Sequence, residues 1–199
     1  MIRKIALRLA LPSMVAALSA CAAGPNPTKF EETTLATTTH LSAGSRVYVY
    51  SFLSARAGFI GPATVRELEN DVTALLRRHQ VSTTMLRLAD TDEGKYLIRD
   101  AGTITVPVGR VLRENASAEG DFRPDYRLMM FPAETRPGSG GVAYTITYRL
   151  VDVATGREVW FTRSQSSFMN WVTVDQDSVE RAAGMTAGLE EEMLRYNLF

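Results

Sequence analysis

The order of apolar and polar positions divides the chain into short, well-marked elements. Val47, Tyr48, Val49, Tyr50 and Phe52 make Arg46 to Leu53 a dense β-forming run, expected to be a first strand buried within a sheet. Pro62 then stands where a helix starts, because the N–H it lacks would go unused there. Val65, Leu68, Val72, Leu75 and Leu76 follow at helical spacing on one face, with Arg66, Glu67, Glu69, Asn70, Arg77 and Arg78 largely away from it. Val81 to Leu88 reads as a second strand, its apolar part being Met85, Leu86 and Leu88. Asp90 and Glu93 have capping-box spacing and predict a short helix within Asp90 to Asp100, weakened by Gly94. Ile104, Val106, Val108, Val111 and Leu112 predict a further strand, interrupted or edged at Pro107.

The strongest local pattern begins at Tyr126-Arg127-Leu128-Met129-Met130-Phe131. Pro137 to Gly141 is a glycine-rich loop leading into Tyr144, Ile146, Tyr148 and Leu150, which alternate with Thr145, Thr147 and Arg149 and so give one buried and one wet face. Asp152 to Gly156 makes a turn, and Val159, Trp160 and Phe161 begin the return strand of a hairpin. Val179, Ala182, Thr186, Leu189, Met193 and Tyr196 then describe one face of a final helix capped by Asp175 or Asp177. The order predicts a single α/β two-layer sandwich spanning 46–199, its mixed sheet packed by two main helices.

Residues 21–45 read as an N-terminal tether: Gly24-Pro25-Asn26-Pro27 breaks regular structure, and few apolar anchors accompany Thr33, Thr34, Thr37, Thr38 and Thr39. Residues 22–45 fully extended would reach roughly 80 Å. Threonine is also a good strand former, so an edge strand within this stretch stays open.

The first twenty residues carry Arg3, Lys4 and Arg8 and then an apolar run from Leu9 to Leu18 with no acidic group, the layout of a secretory signal. Arg8 and Pro12 interrupt it too early for a membrane span, which needs about 20 apolar residues. It ends in Leu18-Ser19-Ala20-Cys21, which resembles the bacterial lipobox. That resemblance implies cleavage before Cys21, a diacylglycerol on its thiol and an N-acyl chain such as palmitate, and anchorage to a membrane facing the periplasm. More than one acyl chain gives stable anchoring. Ala22 in place of Asp implies sorting to the outer membrane. Cys21 is the only cysteine, so an internal disulfide is excluded.

Removing Arg3, Lys4 and Arg8 with the leader leaves 19 basic against 22 acidic residues, a formal charge of −3. No basic stripe of the kind nucleic-acid binders carry is present, so nucleic acid is not an expected partner.

Catalytic and metal chemistry find little support. The two histidines, His40 and His79, are too few for a zinc site once Cys21 is acylated, and His79 is expected to interact with a helix C-terminus. No serine sits in a Gly-x-Ser-x-Gly elbow, and the loop at Pro137 to Gly141 lacks the Lys-Ser/Thr of a phosphate loop. Asp90, Asp92, Glu93 and Asp100 lack calcium-loop spacing. No catalytic residue, metal ligand or cofactor beyond the lipid on Cys21 is expected. Phe168, Met169 and Trp171, between the hairpin and the last helix, are the candidate partner-binding residues, since aromatic residues and Met are enriched at interfaces. Phe59 and Ile60, flanked by Gly58 and Gly61, form a second candidate loop.

Tyr126-Arg127-Leu128 together with the run Tyr144 to Trp160, containing Leu150-Val151-Asp152, Thr155-Gly156 and Val159-Trp160, resembles a pattern of periplasmic lipoproteins. It is similar to the penicillin-binding-protein activators and the curli-secretion lipoproteins, whose domain resembles the N-terminal domain of the Tol-system periplasmic protein. The resemblance implies a non-catalytic adaptor or accessory factor of a cell-wall or secretion complex, with an envelope protein as partner. The alternative expectation is an envelope hydrolase or small-ligand binder built from residues without a recognisable motif.

Overall fold

The computed structural model describes residues 28–36, 39–55, 60–100, 103–138, 141–168 and 177–199. Its principal element is a mixed six-stranded sheet in the order β1-β8-β7-β6-β2-β3. The strands are β1 (Lys29–Leu35), β2 (Arg46–Ser51), β3 (Ser82–Arg87), β6 (Tyr126–Gly138), β7 (Gly141–Asp152) and β8 (Glu158–Phe168). A small hairpin of β4 (Ile98–Asp100) and β5 (Thr103–Thr105) lies apart from it. β2, β3 and β6 are mutually parallel, while β6-β7-β8-β1 is an antiparallel meander extended by the N-terminal strand.

The apolar run of β2 has its explanation in this position. Flanked on both edges by parallel partners, it is covered on both faces, and every residue from Val47 to Ser51 is buried. One face belongs to the two long helices, α1 (Pro62–Arg78) and α5 (Ser178–Arg195). Here Val47, Val49, Leu128, Met130, Tyr144, Ile146, Tyr148, Leu150 and Trp160 pack against Leu68, Val72, Leu75, Leu189 and Met193. The opposite face carries a second, smaller core in which Tyr48, Tyr50, Phe52 and Met129 meet Leu88, Tyr96 and Val111. Phe52 stacks on Phe131 at 4.9 Å between ring centroids.

That second core is built by the segment the sequence described least well. The expected strand over Ile104 to Leu112 is confined to Thr103–Thr105, and Val108–Glu114 is a helix, α3, followed by α4 (Ala116–Phe122). Val108, Val111 and Leu112 stand at positions i, i+3 and i+4, which a helix places on one face, and Pro107 occupies the N-cap with its fixed φ. The short helix expected in Asp90 to Asp100 is reduced to α2 (Glu93–Tyr96), with a 3-10 turn over Leu88–Asp90 before it and β4 after.

Two further differences concern the ends of the chain. Lys29–Leu35 forms the edge strand that the threonine content allowed, so the sheet takes up part of the 21–45 tether. In α5 the buried face includes Met185 beside Ala182, Thr186, Leu189 and Met193, whereas Val179, in the first turn, is 64 % exposed. Among the described residues no helix is long and apolar enough to cross a membrane.

Leu189→Ala should cost about 2–5 kcal/mol in urea unfolding, because it opens a cavity at a fully buried position. Val179→Ala should stay within about 0.5 kcal/mol of the wild type.

Candidate functional site

β8 departs from the alternation of an ordinary core strand. On its helix-facing side Trp160 is followed by Thr162, Ser164 and Ser166, three hydroxyls that are all buried. Buried hydroxyls need partners, and the N-terminal strand with the residue before it supplies most of them. Thr33 Oγ1 donates to Glu192 Oε1 at 2.5 Å, which makes the Thr162 hydroxyl the donor in its 2.7 Å contact with Thr33. Thr28 Oγ1 meets Ser166 Oγ at 2.9 Å, and Ser164 Oγ donates to the carbonyl of Ile146 at 3.4 Å. The second oxygen of Glu192 lies 2.8 Å from Arg195 Nη1, so a carboxylate only 2 % exposed joins helix and edge strand. Gly188 fits here because a Cβ at that position would approach Thr28 Cβ to 2.9 Å.

The other buried acids are also engaged. Glu69 on α1 accepts from Ser51 Oγ at 2.5 Å and from Arg87 Nε at 2.9 Å, and Arg87 reaches on to Asn70 at 2.8 Å. Burial pushes the Glu69 carboxyl above the ordinary carboxylate range, against the downward pull of Ser51 and Arg87. Glu69, Arg87, Arg66, Ser54 and Ala89 line an open hollow of about 340 Å³ between the start of α1 and the ends of β2 and β3. Glu119 on α4 takes Tyr50 at 2.8 Å and Arg127 at 2.5 and 2.6 Å, which fastens α4 to the sheet.

The outer face of the sheet is covered unequally. α3 and α4 stand over β2, β3 and β6, while Thr145 and Thr147 of β7 and Phe161, Arg163 and Gln165 of β8 remain partly exposed. A shallow hollow of about 340 Å³ there is lined by Val108, Phe131, Thr147, Arg149, Glu158 and Phe161, with Arg149 and Glu158 paired across the hairpin.

The expected site residues distribute as follows. Leu18, Ser19, Ala20 and Cys21 lie outside the described residues, as do Met169, Trp171 and Phe59. Phe168 is the last residue of β8, its backbone opposite Val142. Ile60 is buried in the main core. His79 sits at the end of α1, donates from Nε2 to Glu190 at 2.8 Å and stacks on Phe199 at 3.9 Å. Glu190 is held below the usual carboxylate range: burial opposes this, but the His79 and Arg78 hydrogen bonds outweigh it. Asp90 is 3.6 Å from Arg87. No group of three metal-ligating side chains occurs among the described residues. Sequence reasoning missed the Thr33–Thr162–Glu192 thread and the Glu69 cluster; the run Thr162, Ser164, Ser166 on one side of a strand was the available signal for the first.

No protein-family model matches the chain, and no curated protein sequence does. Among solved structures, the PelC dodecamer from Paraburkholderia phytofirmans is similar at 14 % identity and a TM-score of 0.45, covering 80 % of this chain and 96 % of that one. Lipoprotein GNA1162 from Neisseria meningitidis is similar at 14 % identity and a TM-score of 0.40, over 76 % and 96 % of the two chains. Protein XCC0632 from Xanthomonas campestris stands at 10 % and 0.40, over 83 % and 90 %. At these levels the functional reading rests on this chain's own residues.

Glu69→Gln should change the pH dependence of stability in a definite direction. A carboxyl whose value is raised by folding stabilises below its unfolded value, and that contribution is lost as pH rises through the raised one. Urea midpoints measured across this window should show a decline in the wild type that is smaller in the variant. An equal decline in both would show that Glu69 is not the group responsible.

Proposed function

We propose that this chain is an envelope lipoprotein, anchored through acyl chains on Cys21 to the periplasmic face of the outer membrane, whose domain is a non-catalytic adaptor for an envelope protein complex. The observation that carries the reading is Leu18-Ser19-Ala20-Cys21 directly after a basic and then apolar leader. The fold supports it in two ways. The buried carboxylates Glu69, Glu119 and Glu192 are engaged by internal partners, as structural groups are. The partly uncovered outer sheet face, with Phe131 and Phe161 among polar neighbours, offers a docking surface on the side away from the two long helices.

A second reading has one observation in its favour: Glu69, with its raised carboxyl, lines a hollow beside Arg66 and Arg87, the arrangement of a small-ligand site. Both Glu69 oxygens are already hydrogen-bonded within the protein, which favours the adaptor. Saturable binding of an envelope saccharide or peptide fragment that Arg66→Ala abolishes without a loss of stability would reverse this preference.

Wild-type protein expressed in a Gram-negative host should be processed, take up labelled palmitate and fractionate with the outer membrane. Cys21→Ala should be neither cut at this site nor acylated, and should leave that fraction. Unchanged processing and localisation in Cys21→Ala would contradict the proposal.

A further inference from the structure

The geometry points to a fixed attitude of the domain on its membrane: the end of the sheet at which β2, β3 and β6 finish faces the bilayer, and the opposite end points into the periplasm. The inference rests on the acylation of Cys21 proposed above and adds which surface meets the lipid.

Three observations carry it. The first is strand direction. β1 is antiparallel to β8, β8 to β7 and β7 to β6, so β1 begins at the end where β6 and its parallel partners finish. The helices α1 and α5, each following a strand that runs towards that end, also start there. The opposite end holds the turn at 153–157, Ser42 to Ser45 and His79.

The second is the seat of β1. Thr28 is held against Ser166 and Gly188, and Thr33 against Thr162 and Glu192, so the chain is fastened to the sheet from Thr28 onward. The third is the length of chain left over. Seven residues lead from Cys21 to Thr28, and at no more than about 3.6 Å each they reach at most about 25 Å. Thr28 lies level with Ser166 and Tyr144, and from Tyr144 to the end of β7 at Asp152 is roughly 27 Å at about 3.4 Å per residue, with the turn at 153–157 beyond it. The leash is therefore shorter than the domain, and the far end cannot be turned to meet the lipid. Val179, the most exposed large apolar side chain among the described residues, lies in the first turn of α5 at the near end, where a bilayer surface would cover it.

The surfaces left for an envelope partner are then the far end and the flanks, including the outer sheet face with Phe131 and Phe161. They lie beyond the reach of the lipid headgroups.

Cys21 being the only native cysteine and consumed by acylation, a single introduced cysteine gives a unique label. Full-length acylated protein carrying Val179→Cys or Ala154→Cys, each with a donor dye, is reconstituted in phosphatidylcholine–phosphatidylglycerol vesicles containing a headgroup acceptor. Energy transfer from position 179 is expected to exceed that from 154 several-fold. A flexible Gly-Ser insert of twenty residues between Gly24 and Pro25, which leaves the fold untouched, is expected to abolish most of the difference. Equal transfer from the two positions in the uninserted protein, or a difference that survives the insert, overturns the inference. Failure of the protein to stay on vesicles is a separate outcome: it overturns the lipoprotein reading itself, and this inference with it.

Discussion

Thr33 sits on an edge strand, yet its hydroxyl reaches a carboxylate buried beneath α5 while also receiving the hydroxyl of Thr162 on the neighbouring strand. Much else in the molecule depends on this thread. It gives Glu192 a donor in a place where an unpaired carboxylate would cost several kcal/mol. It lets β8 carry hydroxyls on its core side, and it ties the N-terminal strand to both layers at once. A strand held only by Phe30 and Leu35, its two partly buried apolar residues, would have little apolar surface with which to stay in place. Because β1 is seated, only seven residues separate Cys21 from Thr28, so on the proposed acylation strand order sets the direction from which the domain is held.

The two faces of the sheet divide the remaining work. α1 and α5 close the main core over the full width of the sheet and are joined at their lower ends by Arg78, His79 and Glu190. The smaller helices close only half of the other face, fastened by Glu119 to Tyr50 and Arg127 and by the group of Glu114 with Lys95, Arg110 and Tyr96. The uncovered half lies over β7 and β8, where Thr145, Thr147, Arg163 and Gln165 alternate with a buried set beneath. A sheet solvated on one side is stable without a further layer.

Where hydrophobic period and burial agree, the fold was legible in the sequence. The strands at Arg46, Val81, Tyr126, Gly141 and Glu158 and the two long helices follow their apolar spacing closely. The segment from Thr103 to Arg123 was not legible, because Val106-Pro107-Val108 supports alternation and helical spacing equally well; packing on Tyr48 and Tyr50 decides it. β1 was read as tether with an edge strand left open, since Thr33 shows its value only beside Glu192, 159 residues away. The Glu69 group escaped notice for the same reason: Ser51, Glu69 and Arg87 belong to three different elements.

The most direct test of the central claim is native-state amide hydrogen exchange resolved over Lys29–Leu35. If β1 is seated as described, those of its amides that bond to β8 should be protected by orders of magnitude over free chain and should lose much of that protection when Thr33→Val removes the link to Glu192. Exchange at the rate of an unstructured peptide in the wild type would show that this stretch is tether, and would remove the basis of the proposed membrane-facing orientation.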